Sequence, residues 1–104
     1  MSDADYMKLA IEKTREGILK GQTPFGTTIV RDGKVVACAH NRVWLKGDPT
    51  AHAEVNAIRE ASRFLETIDL SGCTLYSTCE PCPMCLSACH WSKIDRVLFG
   101  ATIA

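Results

Sequence analysis

The chain has no net charge, no long apolar run and few aromatic residues. Its 12 basic and 12 acidic side chains cancel to +0, so it lacks the basic excess by which a phosphate-binding surface normally shows itself. No apolar stretch approaches the roughly 20 residues that a membrane helix requires. The opening Met1-Ser2-Asp3-Ala4-Asp5 is acidic rather than apolar, unlike a secretory signal. A cytoplasmic location without a membrane partner is therefore expected, and there the six cysteines are read as reduced thiols, not a disulfide framework. Repeats, low-complexity stretches and internal linkers are also missing. A length of 104 residues with 46% apolar content suits one domain spanning 1–104 with an ordinary core.

Periodicity and breakers outline the elements. Asp5 is expected to cap a first helix in which Tyr6, Leu9, Ala10, Lys13 and Gly17 share a spacing near 3.6, with Gly21 ending it in left-handed geometry. Thr27 to Val30 and Val35 to Cys38 read as antiparallel strands, because Asp32-Gly33 between them is a strong hairpin signal. Asn41 to Pro49 reads as an irregular loop. Thr50 is expected to cap a second helix carrying His52 and Glu54 in its opening turn. Thr74 to Ser77 reads as a third strand, Pro81-Cys82-Pro83 as the start of a third helix, and Arg96 to Phe99 as a fourth strand parallel to the third. The positive ends of the second and third helices are expected to favour thiolate at the cysteines between them.

One constellation carries chemistry. His52-Ala53-Glu54 and Pro81-Cys82-Pro83-Met84-Cys85 supply an imidazole, two thiols and an acid. The first three suit Zn²⁺, and three protein ligands leave the fourth tetrahedral position open, as a catalytic site requires. Bound zinc lowers the pKa of water from about 15.7 to roughly 7, and Glu54, two residues from His52, is placed to take and return the proton. A lone Cys-x-x-Cys equally fits a redox pair or half of a closed zinc site, with Cys79 and Cys89 as spare thiols, but neither gives His52-Ala53-Glu54 a use. Cys38, Cys73, Cys79 and Cys89 are most simply small buried residues.

The pairing of His-x-Glu with Pro-Cys-x-x-Cys resembles the signature of zinc nucleobase deaminases. Together with Pro24-Phe25-Gly26, Ala39-His40-Asn41, Asp48-Pro49-Thr50-Ala51 and Thr78-Cys79-Glu80, it makes the chain from about Tyr6 to Thr102 resemble the cytidine/deoxycytidylate deaminase superfamily, in the branch of guanine deaminases and tRNA adenosine deaminases. The resemblance implies a three-layer α/β/α fold with a mixed sheet and helices on both faces. It also implies zinc on His52, Cys82 and Cys85, proton shuttling by Glu54, and a nucleobase hydrogen-bonded by Asn41 with Phe25 and Ala53 beside it. Cys79 to Leu86 and His90-Trp91-Ser92 resemble bacterial guanine deaminases more than the tRNA enzymes, which tend to carry leucine where Cys79 stands. Guanine is thus the expected substrate. Adenosine in tRNA and cytosine or cytidine are the alternatives, and a zinc-stabilised regulatory or assembly subunit is the non-enzymatic one. A homodimer is expected, with His90 and Trp91 following the third helix, buried or at a subunit contact, and Trp44 at the mouth of the site, in packing or at an interface. The family fold continues past a fourth strand, so its last strand and helices are expected to be missing behind Ala101-Thr102-Ile103-Ala104.

Overall fold

The computed structural model describes residues 1–101; Thr102, at the end of the resembling segment, and the two residues behind it lie outside this description. The element order is α1 (Asp3–Leu19), β1 (Gly26–Arg31), β2 (Lys34–His40), α2 (Val43–Lys46), α3 (Ala53–Leu65), β3 (Cys73–Cys79), α4 (Pro83–Ser92) and β4 (Arg96–Ala101). The four strands form one sheet in the order β2-β1-β3-β4. β1 is antiparallel to both of its neighbours, and β3 and β4 run parallel. The hairpin turn falls on Asp32 and Gly33, at φ 50° and 74°, the doubly left-handed geometry that matches strand twist.

Alternation along the strands sends neighbouring residues to opposite faces. Ile29, Leu75 and Cys73 pack with Ala57 and Ala61 of α3, Cys89 of α4 and Leu70, while Val97 of β4 closes the same cluster. Val30 and Tyr76 meet Tyr6 of α1 on the other face, with the two tyrosine rings 5.4 Å apart. This is the expected three-layer α/β/α arrangement. Gly21, at φ 78°, follows α1 in the expected left-handed geometry.

Several boundaries differ from the sequence expectation. Ser2, not Asp5, caps α1; Asp5 is the third-residue partner of a capping box, its carboxylate accepting from the Ser2 N–H at 2.8 Å. The segment after β2 is not wholly irregular, because Val43–Lys46 forms a single helical turn closed by Gly47 at φ 59°. Thr50 does not cap α3. Its N–H and hydroxyl both bond to Asp48 Oδ1, at 2.8 and 2.7 Å, so the side chain is spent on the preceding turn. His90 and Trp91 belong to α4 itself, and Trp91 is 82% exposed rather than buried.

The close approach of α1 to the sheet depends on Gly26. A Cβ there would lie 2.2 Å from the Ala10 carbonyl oxygen. Gly26→Ala is therefore expected to cost at least about 1–3 kcal/mol, as overpacking does. Leu75→Ala, in the fully buried cluster, should cost about 2–5 kcal/mol. Urea denaturation of the two variants against wild type checks both.

Candidate metal centre and its cleft

Because β1 lies between them and opposes both, β2 and β3 run in the same direction. The helices that follow them, α3 and α4, therefore begin at the same end of the sheet. His52 is the residue before α3 and Cys82 the residue before α4, both in extended geometry and neither making a side-chain capping bond. Ordinarily such positions satisfy orphan N–H groups. Here both side chains turn toward each other instead: His52 Nδ1 lies 3.7 Å from Cys82 Sγ and 3.5 Å from Cys85 Sγ. With Zn–S near 2.3 Å and Zn–N near 2.05 Å, a tetrahedral angle sets N···S at about 3.6 Å. The three donor atoms lie within 4.8 Å of one another, and no other His, Cys, Asp or Glu among the described residues joins them. The donors fit zinc, with one position left for a small ligand.

The two spare thiols separate. Cys89 is buried in the core, where burial pushes its thiol up to about 11, while Cys79 is half-buried and borders the cleft, against the expectation of a buried filler. Cys73 is buried as expected, and Cys38 is half-buried beside Thr28.

Glu54, in the first turn of α3, is buried beside the trio. Burial raises its carboxyl above the ordinary range, opposed by its own backbone N–H, the Cys85 thiol and the charge of His52. The Cys85 thiol is pushed far up, first by burial and then by the charge of Glu54 and by Cys82. The helix ends, expected to favour thiolate, are opposed at Cys85 by burial and by Glu54. A helix terminus contributes typically under about 2 kcal/mol, whereas an unpaired charge out of water costs several. A bound dication supplies the missing compensation.

Above the trio opens a cleft of about 650 Å³, bordered by Thr23, Phe25, Asn41, Val43, Trp44, Pro49, His52, Glu54, Cys79, Glu80 and Cys82. Asn41, just past β2, is buried, and its Oδ1 accepts the Val43 N–H at 2.9 Å. A backbone N–H can only donate, so the oxygen is identified and the amide NH₂ remains as the group for a ligand. Phe25 is 39% exposed at the cleft and accepts the Asn41 N–H on its carbonyl at 3.1 Å, so it is a wall residue rather than core. Ala53 is fully buried and is not among the residues that border the cleft.

Sequence reasoning passes over two residues that hold this floor together. Asn56 Nδ2 donates to the carbonyls of His40 and Ala51, at 3.0 Å each, tying the end of β2 to the segment entering α3. His40, buried, donates from Nδ1 to the Asn41 carbonyl at 2.8 Å and sits against Gly17, where a Cβ would come within 2.8 Å of its ring. The signal for Asn56 is its place on the otherwise apolar stripe of Ala53, Ala57 and Ala61, where an amide needs internal partners.

The chain matches the family of the cytidine and deoxycytidylate deaminase zinc-binding region over residues 1–101 and belongs to it. Among its relatives, the guanine deaminase of Bacillus subtilis is 44% identical, over 97% of this chain and 65% of that protein. The tRNA-specific adenosine deaminase of Aquifex aeolicus is 46% identical, over 92% of this chain and 64% of that protein. The X-ray structure of the B. subtilis guanine deaminase superposes with a TM-score of 0.95, covering 98% of this chain and 66% of the other at 44% identity. The chain thus spans slightly less than two thirds of the length of these curated relatives.

Zinc is expected at about one equivalent per chain, measured by elemental analysis of freshly purified, chelator-free protein. His52→Ala or Cys85→Ala should lose it, and a chelator should lower the melting temperature, because binding energy at such a site is folding energy. Cys85 must release a proton to bind, so zinc affinity should fall as pH falls, read by competition with a chromophoric chelator.

Proposed function

We propose that the chain removes an exocyclic amine from a nucleobase by zinc-dependent hydrolysis, with guanine to xanthine and ammonia as the best-supported reaction. The observation that carries this reading is a buried carboxylate, Glu54, beside a three-ligand donor set at the floor of a cleft whose size falls within the roughly 300–1,000 Å³ usual for small-molecule sites. Zinc held by His52, Cys82 and Cys85 supplies the Lewis acidity that makes water nucleophilic near neutral pH. Glu54 takes the proton that the attacking water gives up and passes it to the ring nitrogen beside the amine-bearing carbon; it then takes the second proton, from the hydroxyl now on that carbon, and gives it to the amine, whose C–N bond breaks as the carbonyl forms. One water is consumed and one ammonia leaves. Asn41 orients the base by donating from its amide to a ring or carbonyl acceptor.

Guanine is supported by the B. subtilis relative and by Cys79, which borders the cleft where the tRNA enzymes tend to carry leucine. Adenosine in tRNA is the second reading, favoured by the A. aeolicus relative, although a net charge of +0 offers no phosphate footprint. A purely regulatory subunit would have no use for a buried proton carrier beside the ligands. The location remains the cytoplasm in this reading, in keeping with a donor set that needs Cys82 and Cys85 reduced. Among the described residues no helix is long and apolar enough to cross a membrane.

Glu54→Gln is expected to keep zinc and fold while losing at least about 100-fold in kcat. An ammonia-release assay on guanine, cytosine, adenine, their nucleosides and tRNA tests both the role and the substrate. A variant keeping more than about a hundredth of the wild-type rate would remove Glu54 from the mechanism. The chain is also read as a homodimer, supported by Trp91 and Leu86 exposed on α4 and Phe99 on the edge strand β4. Light scattering at micromolar concentration should give twice the chain mass, and Trp91→Glu should shift it toward monomer; a monodisperse active monomer would refute the dimer.

A further inference from the structure

We propose that Trp44 is a substrate-binding residue that stacks on the aromatic ring held by Asn41, and that Gln22 is the positioning residue that keeps Trp44 at the cleft. The proposal rests on the reading of the cleft as a nucleobase site. Trp44 borders the cleft yet is 72% exposed, so most of its indole is in water. It rides on α2, a helix of only four residues, too short to hold itself by local propensity, since a first turn fixes several residues for a single bond.

Two side chains from outside the helix fix its position. Asn41 Oδ1 accepts the Val43 N–H at 2.9 Å on one side of Trp44, and Gln22 Oε1 accepts the Leu45 N–H at 3.2 Å on the other. Gln22 is only 9% exposed and its Nε2 donates to the Lys20 carbonyl, which anchors it to the end of α1. The amide that meets the base and the helix that carries the indole are thus joined by one hydrogen bond. A flat ring bound to the Asn41 NH₂ group meets the indole from a fixed origin, and its arrival removes water from an aromatic face, a contact tolerant of which base it is but demanding of planarity.

Binding of guanine, adenosine and cytosine to the zinc-loaded Glu54→Gln chain, by equilibrium dialysis, tests this without turnover. Indole fluorescence followed in a Trp91→Phe background reports Trp44 alone. Trp44→Ala is expected to weaken binding of the preferred base about 5- to 150-fold with zinc content unchanged, and Trp44→Phe to recover most of it. With Glu54 intact, the same substitution should raise KM more than it lowers kcat. Gln22→Leu should weaken binding and diminish the fluorescence change with zinc content unchanged. A base that binds Trp44→Ala as tightly as it binds the Trp44 chain, with no indole quenching, overturns this proposal and leaves the nucleobase reading standing. Wild-type affinity in Gln22→Leu removes the positioning role. If no form of the chain, Trp44 included, binds any of the three probes, the nucleobase reading itself falls and this proposal with it.

Discussion

Three donor atoms must meet within bonding distance of one point, and the chain meets that requirement by starting two helices side by side. β1 separates β2 from β3 by about 10 Å, two strand spacings, and α3 and α4 lie on the same face at a comparable helix-packing distance. From such neighbouring starts, a histidine on one helix and two cysteines on the other reach a common centre without backbone distortion. Moving β1 to an edge would change the separation of the strands and pull the trio apart. The ordering of the sheet is thus the condition on which the site depends. The leading edge of each helix gives up ordinary capping to serve it, since His52 and Cys82 occupy cap positions but make no capping bond.

The same geometry concentrates unfavourable electrostatics. Cys85 and Glu54 are both buried; the charge of Glu54 raises the cost of a thiolate at Cys85, while the Cys85 thiol steadies the Glu54 carboxylate that burial disfavours. Helix ends are too weak to offset that cost. A dication removes both penalties together, stabilising thiolates directly and offsetting the carboxylate beside them. Metal affinity, local stability and the protonation of Glu54 are therefore coupled in this fold, most directly through the ligands His52, Cys82 and Cys85.

What the sequence made legible follows from how local each feature is. The Asp32-Gly33 turn, the Gly21 stop after α1 and Pro83 at the start of α4 are dictated by backbone geometry that two or three residues decide alone. The motif spacing likewise fixed His52, Cys82, Cys85 and Glu54 as a group, and the structure brings the three donors together with Glu54 beside them. Features set by distant partners were not legible. α2 exists because Asn41 and Gln22 hold it, and Gln22 lies 23 positions from its partner. Thr50 had the right chemistry for a cap but lost to the nearer carboxylate of Asp48. Ser2 likewise displaced Asp5 as the cap of α1, because a capping box needs both and only one can stand first.

Floor and rim of the cleft answer to different constraints. The floor, His52, Cys82, Glu54 and Asn41, is pinned by α3, α4, the strand ends and the two Asn56 bonds to neighbouring carbonyls. A change there disturbs the core. The rim, including Thr23, Phe25, Trp44 and Pro49, is carried by connecting segments whose side chains contribute little to the packed layers. Rim side chains stand outside the two core clusters, and on the proposed reading they are the ones a bound ring would touch beyond its reacting edge. Two relatives with different named activities match the chain at 44% and 46% identity. Whole-chain identity therefore has little power to discriminate between rings. On the proposed reading, stacking on Trp44 selects for a flat ring, and discrimination between rings falls to the cleft side chains that would meet the ring's edge, Cys79 among them.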